Sequence, residues 1–114
     1  MNFEQIKSEF IRAIKAKKKV LLTFYAKKYN NALITRTCAP MDLSPISKGQ
    51  LKNERFSLWD FDSPQGGHTV SLDFEQIVEL VVLDEAEKFN PAEFITWSTK
   101  QSPWFVKRDW GDLS

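Results

Sequence analysis

Val20-Leu-Leu-Thr-Phe-Tyr-Ala26 and Ala32-Leu-Ile-Thr-Arg-Thr-Cys-Ala39 are two apolar runs separated by five residues. Both are rich in β-branched or aromatic residues, which favour strands. The connection, Lys27-Lys-Tyr-Asn-Asn31, carries two asparagines, and asparagine tolerates the left-handed backbone that tight turns need. The pattern predicts a hairpin with strands over residues 19–26 and 32–39, the second ended by Pro40 because proline cannot donate to a strand ladder.

Three more short strands follow the hairpin at regular spacing. They are predicted after a loop at residues 41–54 and cover residues 55–61, 68–72 and 77–83, with a turn at 63–67 and a helical turn at 73–76. Several short strands separated by turn signals are typical of a small barrel, which leaves few free strand edges. The predicted fold is mainly β with flanking helices (α+β), built on a five-stranded SH3-like β-barrel.

Helices are predicted on both sides of this barrel. In residues 2–17, Phe3, Ile6, Phe10 and Ile14 recur at helical spacing, and Asn2 begins the segment as the N-cap of a capping box. A short second helix is predicted over residues 90–97, where Asn-Pro is a typical helix start. We expect one domain over residues 1–97 and an aromatic tail over residues 98–114.

The composition is that of an ordinary globular domain. The 114 residues are 42% hydrophobic and 27% charged, and Cys38 is the single cysteine, which excludes an internal disulfide and suits a reducing cytoplasmic compartment. The N-terminus does not have the pattern of a signal peptide, and no apolar run reaches the roughly 20 residues that cross a bilayer. We therefore expect a cytoplasmic protein without a membrane partner.

Charge is distributed unevenly along the chain, although the net charge is only +1. Residues 1–55 carry twelve Lys and Arg against four Asp and Glu, whereas residues 56–95 carry one Lys against nine acids. Either the fold has a polar field across it, or the two halves intermix in space and their charges compensate. The second interpretation is favoured, because the strands of a barrel interleave.

The order of these motifs resembles a WYL domain. The matching residues lie between about Ile6 and Pro91: Ala13-Ile14, Val20 to Tyr25, Arg36 and Pro40, Phe56-Ser-Leu58, Leu72-Asp73, Ile77 and Phe89-Asn-Pro91. The resemblance implies an SH3-like or Sm-like barrel that binds a small anionic ligand or nucleic acid and regulates a partner. His68 stands nearest to the place where the family has an arginine in the fourth strand.

The first candidate site is centred on Arg36, which shares a strand face with Ile34 and Cys38. A guanidinium in that position needs either an anionic ligand or a carboxylate, so the alternatives are a ligand pocket and a structural salt bridge to Asp60, Asp62 or Asp73. His68 adds a group that changes charge near neutral pH, although a histidine at a turn is more often merely solvated. The predicted ligand-binding residues are Tyr25, Arg36, Trp59 and His68.

The second candidate site is a lysine patch. Its predicted nucleic-acid-binding members are Lys17, Lys18, Lys19, Lys27 and Lys28. If the helix end lies near the first hairpin, these lysines would contact phosphates of a nucleotide or single-stranded nucleic acid. The alternative is a solvated cluster at a helix end. Cys38 is expected in the core, no His/Cys spacing suits zinc, and neither an enzyme activity nor a cofactor is predicted.

The tail is the third candidate. Trp97, Trp104 and Trp110 are too large to be left exposed without consequence. Either the tail folds back and covers the barrel, which is favoured, or its aromatic residues contact a protein partner or a second copy, which would make this a structural or assembly protein.

Overall fold

The computed structural model describes residues 1–45, 54–64, 66–97 and 104–114. One α-helix, α1 (Phe3–Ala16), precedes five antiparallel strands. In chain order the strands are β1 (Val20–Ala26), β2 (Ala32–Pro45), β3 (Glu54–Asp60), β4 (His68–Asp73) and β5 (Ile77–Val82). The predicted class, mainly β with a flanking helix, is confirmed.

The five strands form one sheet in the order β4-β3-β2-β1-β5. The edge strands β4 and β5 are joined through a single 3-10 turn, Phe74–Gln76, which confirms the predicted helical turn. Phe24 of β1 and Val70 of β4 line the same cavity although β2 and β3 lie between their strands. The sheet is therefore strongly curled, and its curl creates the cavity described below.

α1 begins with the capping box that the sequence predicts. Asn2 Oδ1 accepts from the Gln5 amide at 2.9 Å, and Gln5 Oε1 accepts from the Asn2 amide at 3.0 Å. Its apolar side, which includes Ile6 and Phe10, is buried, and Phe10 meets Phe56 of β3 edge to face at 5.0 Å between ring centroids. Burying such side chains stabilises the fold by roughly 1.5–3 kcal/mol each.

β2 does not end at Pro40, so that part of the prediction was wrong. The strand continues to Pro45, and the register with β3 shifts between Pro40 (opposite Leu58) and Asp42 (opposite Ser57). The extra residue is Met41, which makes this a β-bulge. A bulge accommodates proline because it interrupts the ladder where the missing N–H would be needed.

The second predicted helix is also shorter than expected. Only Pro91–Glu93 is helical, as one 3-10 turn, although Asn90 does cap it by accepting from the Ala92 amide at 3.2 Å. Phe94 leaves helical geometry and is buried. Its ring stacks on Trp59 at 5.3 Å, so tertiary packing ends the helix here.

The Gly-Gly turn has a packing reason as well as a conformational one. A Cβ on Gly67 would lie 2.7 Å from Trp59 Nε1, so only glycine lets the chain pass the indole. Parts of the predicted loop at 41–54, the turn at 63–67 and the tail, namely residues 46–53, 65 and 98–103, lie outside the described residues.

Candidate functional site

A cavity of about 260 Å³ lies inside the curl of the sheet. It is bounded by the β1–β2 hairpin on one side and by β4 on the other. The apolar part of its wall comes from Phe24, Ala26, Ile34, Val70 and Leu72.

Cationic side chains surround this apolar wall. Lys27, Lys28, Arg36 and Arg55 line the cavity. Asp60, which also lines the cavity, pairs with Arg36, and Asp73 pairs with Arg55 and Lys27, whereas Lys28 has no ion pair among the described residues. The cavity therefore has an excess of positive charge, which favours a ligand that is apolar in part and anionic in part.

Arg36 combines features of both alternatives raised by the sequence. Its Nε lies 3.7 Å from Asp60 Oδ2, which is an ion pair but too long for a hydrogen bond. Nη1 donates to the Asp62 carbonyl at 3.0 Å, while Nε is buried and has no hydrogen-bond partner. A guanidinium has five N–H donors, so Arg36 is held in place and still has donors to offer.

Arg55 and Lys27 are fixed on the rim by Asp73. Arg55 Nη1 lies 2.5 Å from Asp73 Oδ1, and Lys27 Nζ lies 3.3 Å from Asp73 Oδ2. Partial burial works to raise the pKa of Asp73, but its hydrogen bonds to Arg55 and Lys27 outweigh burial, so the pKa lies below 3.8. Asp73 is ionised at neutral pH and pairs with both cations.

The four predicted ligand-binding residues do not all meet. Arg36 and His68 line the cavity together. Tyr25 points its side chain to the exposed outer face of β1 and is 44% exposed, although its carbonyl accepts from Gln76 Nε2 at 3.0 Å. Trp59 lies on the opposite face of β3 from Asp60 and packs on Phe94. Neither Tyr25 nor Trp59 is among the lining residues.

The lysines also separate. Lys17, Lys18 and Lys19 precede β1, whereas Lys27 and Lys28 follow it, so the two groups are about 20 Å apart at opposite ends of a seven-residue strand. They do not form one patch. Lys18 lies 3.5 Å from Asp84, and Lys19 lies over the Phe61 ring at 5.2 Å from its centroid. Lys27 and Lys28 belong to the cavity instead.

Salt bridges join the basic and acidic halves of the sequence. Arg12 pairs with Asp84, Lys27 with Asp73 and Arg36 with Asp60. These contacts confirm the favoured interpretation, in which the basic and acidic halves of the sequence intermix in space.

The tail folds back on the domain. Trp110 is buried, and its Nε1 donates to the Ile14 carbonyl at 2.9 Å at the end of α1. Trp104 is half-buried and lies 5.8 Å from Trp110 between ring centroids. Trp97 remains 43% exposed.

Cys38 lies in the core, as expected. It is fully buried, and burial raises the pKa of its thiol well above the ordinary value, with Asp60 and Asp62 adding to the effect. The described residues contain no group of three or more His, Cys, Asp or Glu placed to hold a metal ion. Among them, no helix has both the length and the apolar character needed to cross a membrane.

The site residues predicted from the sequence did not include Arg55 and Gln76, which line the cavity together with Tyr29. Arg55 lies opposite Asp73 in the β3–β4 hairpin, whose register is centred on Pro64 within the predicted turn. Gln76 had no such signal, since its partner, the Tyr25 carbonyl, lies 51 positions away.

Comparison with known proteins shows a likeness of fold. No family model matches the chain, and no curated protein matches it. Among solved structures, the chain is similar to Proteasome accessory factor B/C (PafBC) of Arthrobacter aurescens, with a TM-score of 0.59 and 13% sequence identity over 78% of this chain. The match spans 13% of the PafBC chain. It supports a WYL-like fold, the coarse part of the sequence resemblance.

Proposed function

We propose that this chain is a non-enzymatic regulatory binding module whose cavity holds the anionic part of a ligand. The observation that carries the proposal is the cluster of Lys27, Lys28, Arg36 and Arg55 around one partly apolar cavity. Four cationic side chains line the cavity, and in the part of the chain that the structure describes the carboxylates paired with them are those of Asp60 and Asp73, so positive charge is left for an anion to offset.

Arg36 is the residue expected to orient the ligand. Its side chain is only 18% exposed and is anchored through Nη1, so an oxyanion would meet a preorganised donor rather than a mobile surface charge. The ligand class is a small anionic molecule or a segment of nucleic acid. Tyr29, which lies next to Lys28 at the cavity, suits a ligand with a flat base.

The regulatory part of the proposal is supported by the fold. PafBC is by name an accessory factor, and this chain resembles a portion of it. The thiol of Cys38 is enclosed in the core and out of reach of a ligand, which supports binding rather than cysteine chemistry as the role. A reducing compartment such as the cytoplasm suits this free thiol.

Thermal denaturation in the presence of defined anions tests the proposal. Inorganic pyrophosphate, a nucleotide panel and the oligonucleotide dT10 are added to the wild type, to Arg36→Gln and to Arg12→Gln, whose guanidinium lies on the exposed side of α1. We expect at least one anion to raise the midpoint by several degrees in the wild type and in Arg12→Gln, because a ligand present at about 100 times its Kd stabilises by about 2.7 kcal/mol. Equal responses in Arg36→Gln and the wild type would remove Arg36 from the site.

A nucleic-acid ligand predicts strong salt dependence. Neutralising phosphates with Lys27 and Lys28 releases counterions, so affinity for dT10 should fall steeply between low and moderate salt. No binding of dT10 at low salt, or an affinity for dT10 that does not change with salt, would exclude nucleic acid and leave a small anion as the ligand of the cavity.

Assembly through the tail is the alternative, and one observation favours it. Trp97 and Phe105 are 43% and 62% exposed, which is unusual for such large apolar side chains. Because Trp110 is buried, truncation of the tail would damage the fold, so the test is Trp97→Ser with Phe105→Ser. A lower mass by light scattering would support assembly, and an unchanged monomer would exclude it.

A further inference from the structure

One wall of the cavity is formed by β4, which lies at the edge of the sheet in the part of the chain that the structure describes. β4 is an edge strand, paired with β3 on one side, and all five residues from His68 to Leu72 line the cavity. Successive side chains of a strand point to opposite faces, so the side chains of Thr69 and Ser71 lie on the face opposite to those of Val70 and Leu72. Thr69 and Ser71 are exposed, and they nevertheless line the cavity beside Val70 and Leu72.

An edge strand presents unpaired N–H and C=O groups at regular intervals. Proteins usually protect such an edge with proline or lysine, but β4 has the sequence His-Thr-Val-Ser-Leu-Asp and has neither. The cationic rim reaches this same edge, because Arg55 Nη2 approaches the Ser71 carbonyl at 3.4 Å and Arg55 Nε donates to Ser71 Oγ at 3.1 Å.

We propose, resting on the anion-binding function above, that the ligand is an extended peptide carrying a carboxylate, which adds as a strand to the edge of β4. Backbone groups of the peptide pair with β4, alternate apolar side chains enter the cavity against Phe24 and Ile34, and the carboxylate meets Arg36 or Lys28. Strand addition is a recurring mode of peptide recognition, with affinity from the backbone and specificity from pockets for alternate side chains.

Size and charge favour this occupant. The cavity, about 260 Å³, falls below the roughly 300–1,000 Å³ of sites that enclose a drug-sized molecule. It suits one or two side chains of a chain segment that continues along the edge. Six residues of β4 extend for about 20 Å, enough to pair with a peptide of four or five residues. The unshared positive charge selects an acidic segment.

Amide hydrogen exchange of β4, followed by NMR, tests this inference. The probe is an equimolar pool of N-acetylated pentapeptides built from Val and Thr and ending in Asp. The matched control pool carries N-methyl groups on its central residues, which keep the charge and apolar character but remove the N–H donors. We expect the first pool to slow exchange of the outward-facing β4 amides by roughly tenfold and the methylated pool to leave them unchanged.

Two exposed lysines provide matched protein variants. Lys28→Gln should weaken peptide binding several-fold, whereas Lys15→Gln, on α1 away from the cavity, should not. If both pools act equally, or if the peptides leave β4 unchanged while pyrophosphate or dT10 perturbs Arg36, strand addition is wrong and the anion site stands. If none of these probes perturbs Arg36, the proposed function fails as well.

Discussion

The guanidinium of Arg108 lies 3.2 Å from the carboxylate of Asp42, and the Arg108 side chain is fully enclosed. The guanidinium also lies over the rings of Trp104 and Trp110, at 4.2 and 4.4 Å from their centroids. Asp42 follows the bulge of β2, so this contact fastens the tail to the sheet. The Asp42 carboxylate also accepts hydrogen bonds from the backbone amides of Phe105 and Val106.

Arg108→Met should destabilise the protein strongly. Removing one partner of a buried pair leaves the other charge uncompensated, which typically costs about 3–5 kcal/mol. The cation–π contacts with the two indoles are lost at the same time. Lys107→Met, which replaces an exposed neighbour, should change the free energy of unfolding by no more than about 0.5 kcal/mol in urea titrations. Similar values for the two variants would show that the tail is not fastened in this way.

Asp73 should make stability depend on acid pH. Its pKa is lower in the folded state than in the unfolded chain, so its contribution is present above the ordinary value of 3.8 and is lost as pH falls through the folded value. The stability difference between the wild type and Asp73→Asn should therefore shrink as pH falls from about 5 to about 2. Glu75→Gln, at an exposed carboxylate two residues away, is the control; an equal trend in both variants would contradict the assignment.

Cys38 should be inert in the folded protein. The thiol is fully enclosed and its pKa is raised by burial, so little reactive thiolate forms at neutral pH. A thiol-specific reagent such as DTNB should label it only after denaturation, at the rate of a free cysteine. Rapid labelling of the native protein would show that the β1–β2 region opens readily.

Gly67→Ala should strain the contact with Trp59. The added methyl would lie 2.7 Å from the indole, and overpacking of this kind costs about 1–3 kcal/mol. Introducing the same change into a Trp59→Phe background should cost less, because the smaller ring leaves room. An equal cost in both backgrounds would attribute the effect to the backbone of the turn alone.

Much of the fold follows from local pattern. The α1 capping box, the β1–β2 hairpin and the helical turn before β5 are encoded by neighbouring residues, and each appears where the sequence predicted it. The two errors, at Pro40 and at Phe94, come from tertiary structure: a bulge absorbs the proline, and Trp59 ends the helical turn. The residues of β3 that lie opposite the bulge, and Trp59 against Phe94, are distant in sequence from the positions they affect.

The candidate site could be predicted only in part for the same reason. Arg36 and His68, which both line the cavity, stand out in the sequence as a charged residue within a strand and a histidine after Gly-Gly. Trp59 was assigned to the ligand site, but its face of β3 is covered by the segment around Phe94, which a strand pattern alone does not reveal. Lys27 and Lys28 were grouped with the lysines at the end of α1, whereas the curl of the sheet places them at the cavity.

The side-chain Nε–H of Arg36 reports directly on whether this residue offers a donor to an anion in the cavity. Inorganic pyrophosphate is titrated into ¹⁵N-labelled protein, with Arg12 Nε–H as an internal control. We expect a saturable shift of the Arg36 resonance that Lys28→Gln weakens, with no comparable change at Arg12. An Arg36 resonance that stays in place while the exposed Arg12 shifts would contradict it.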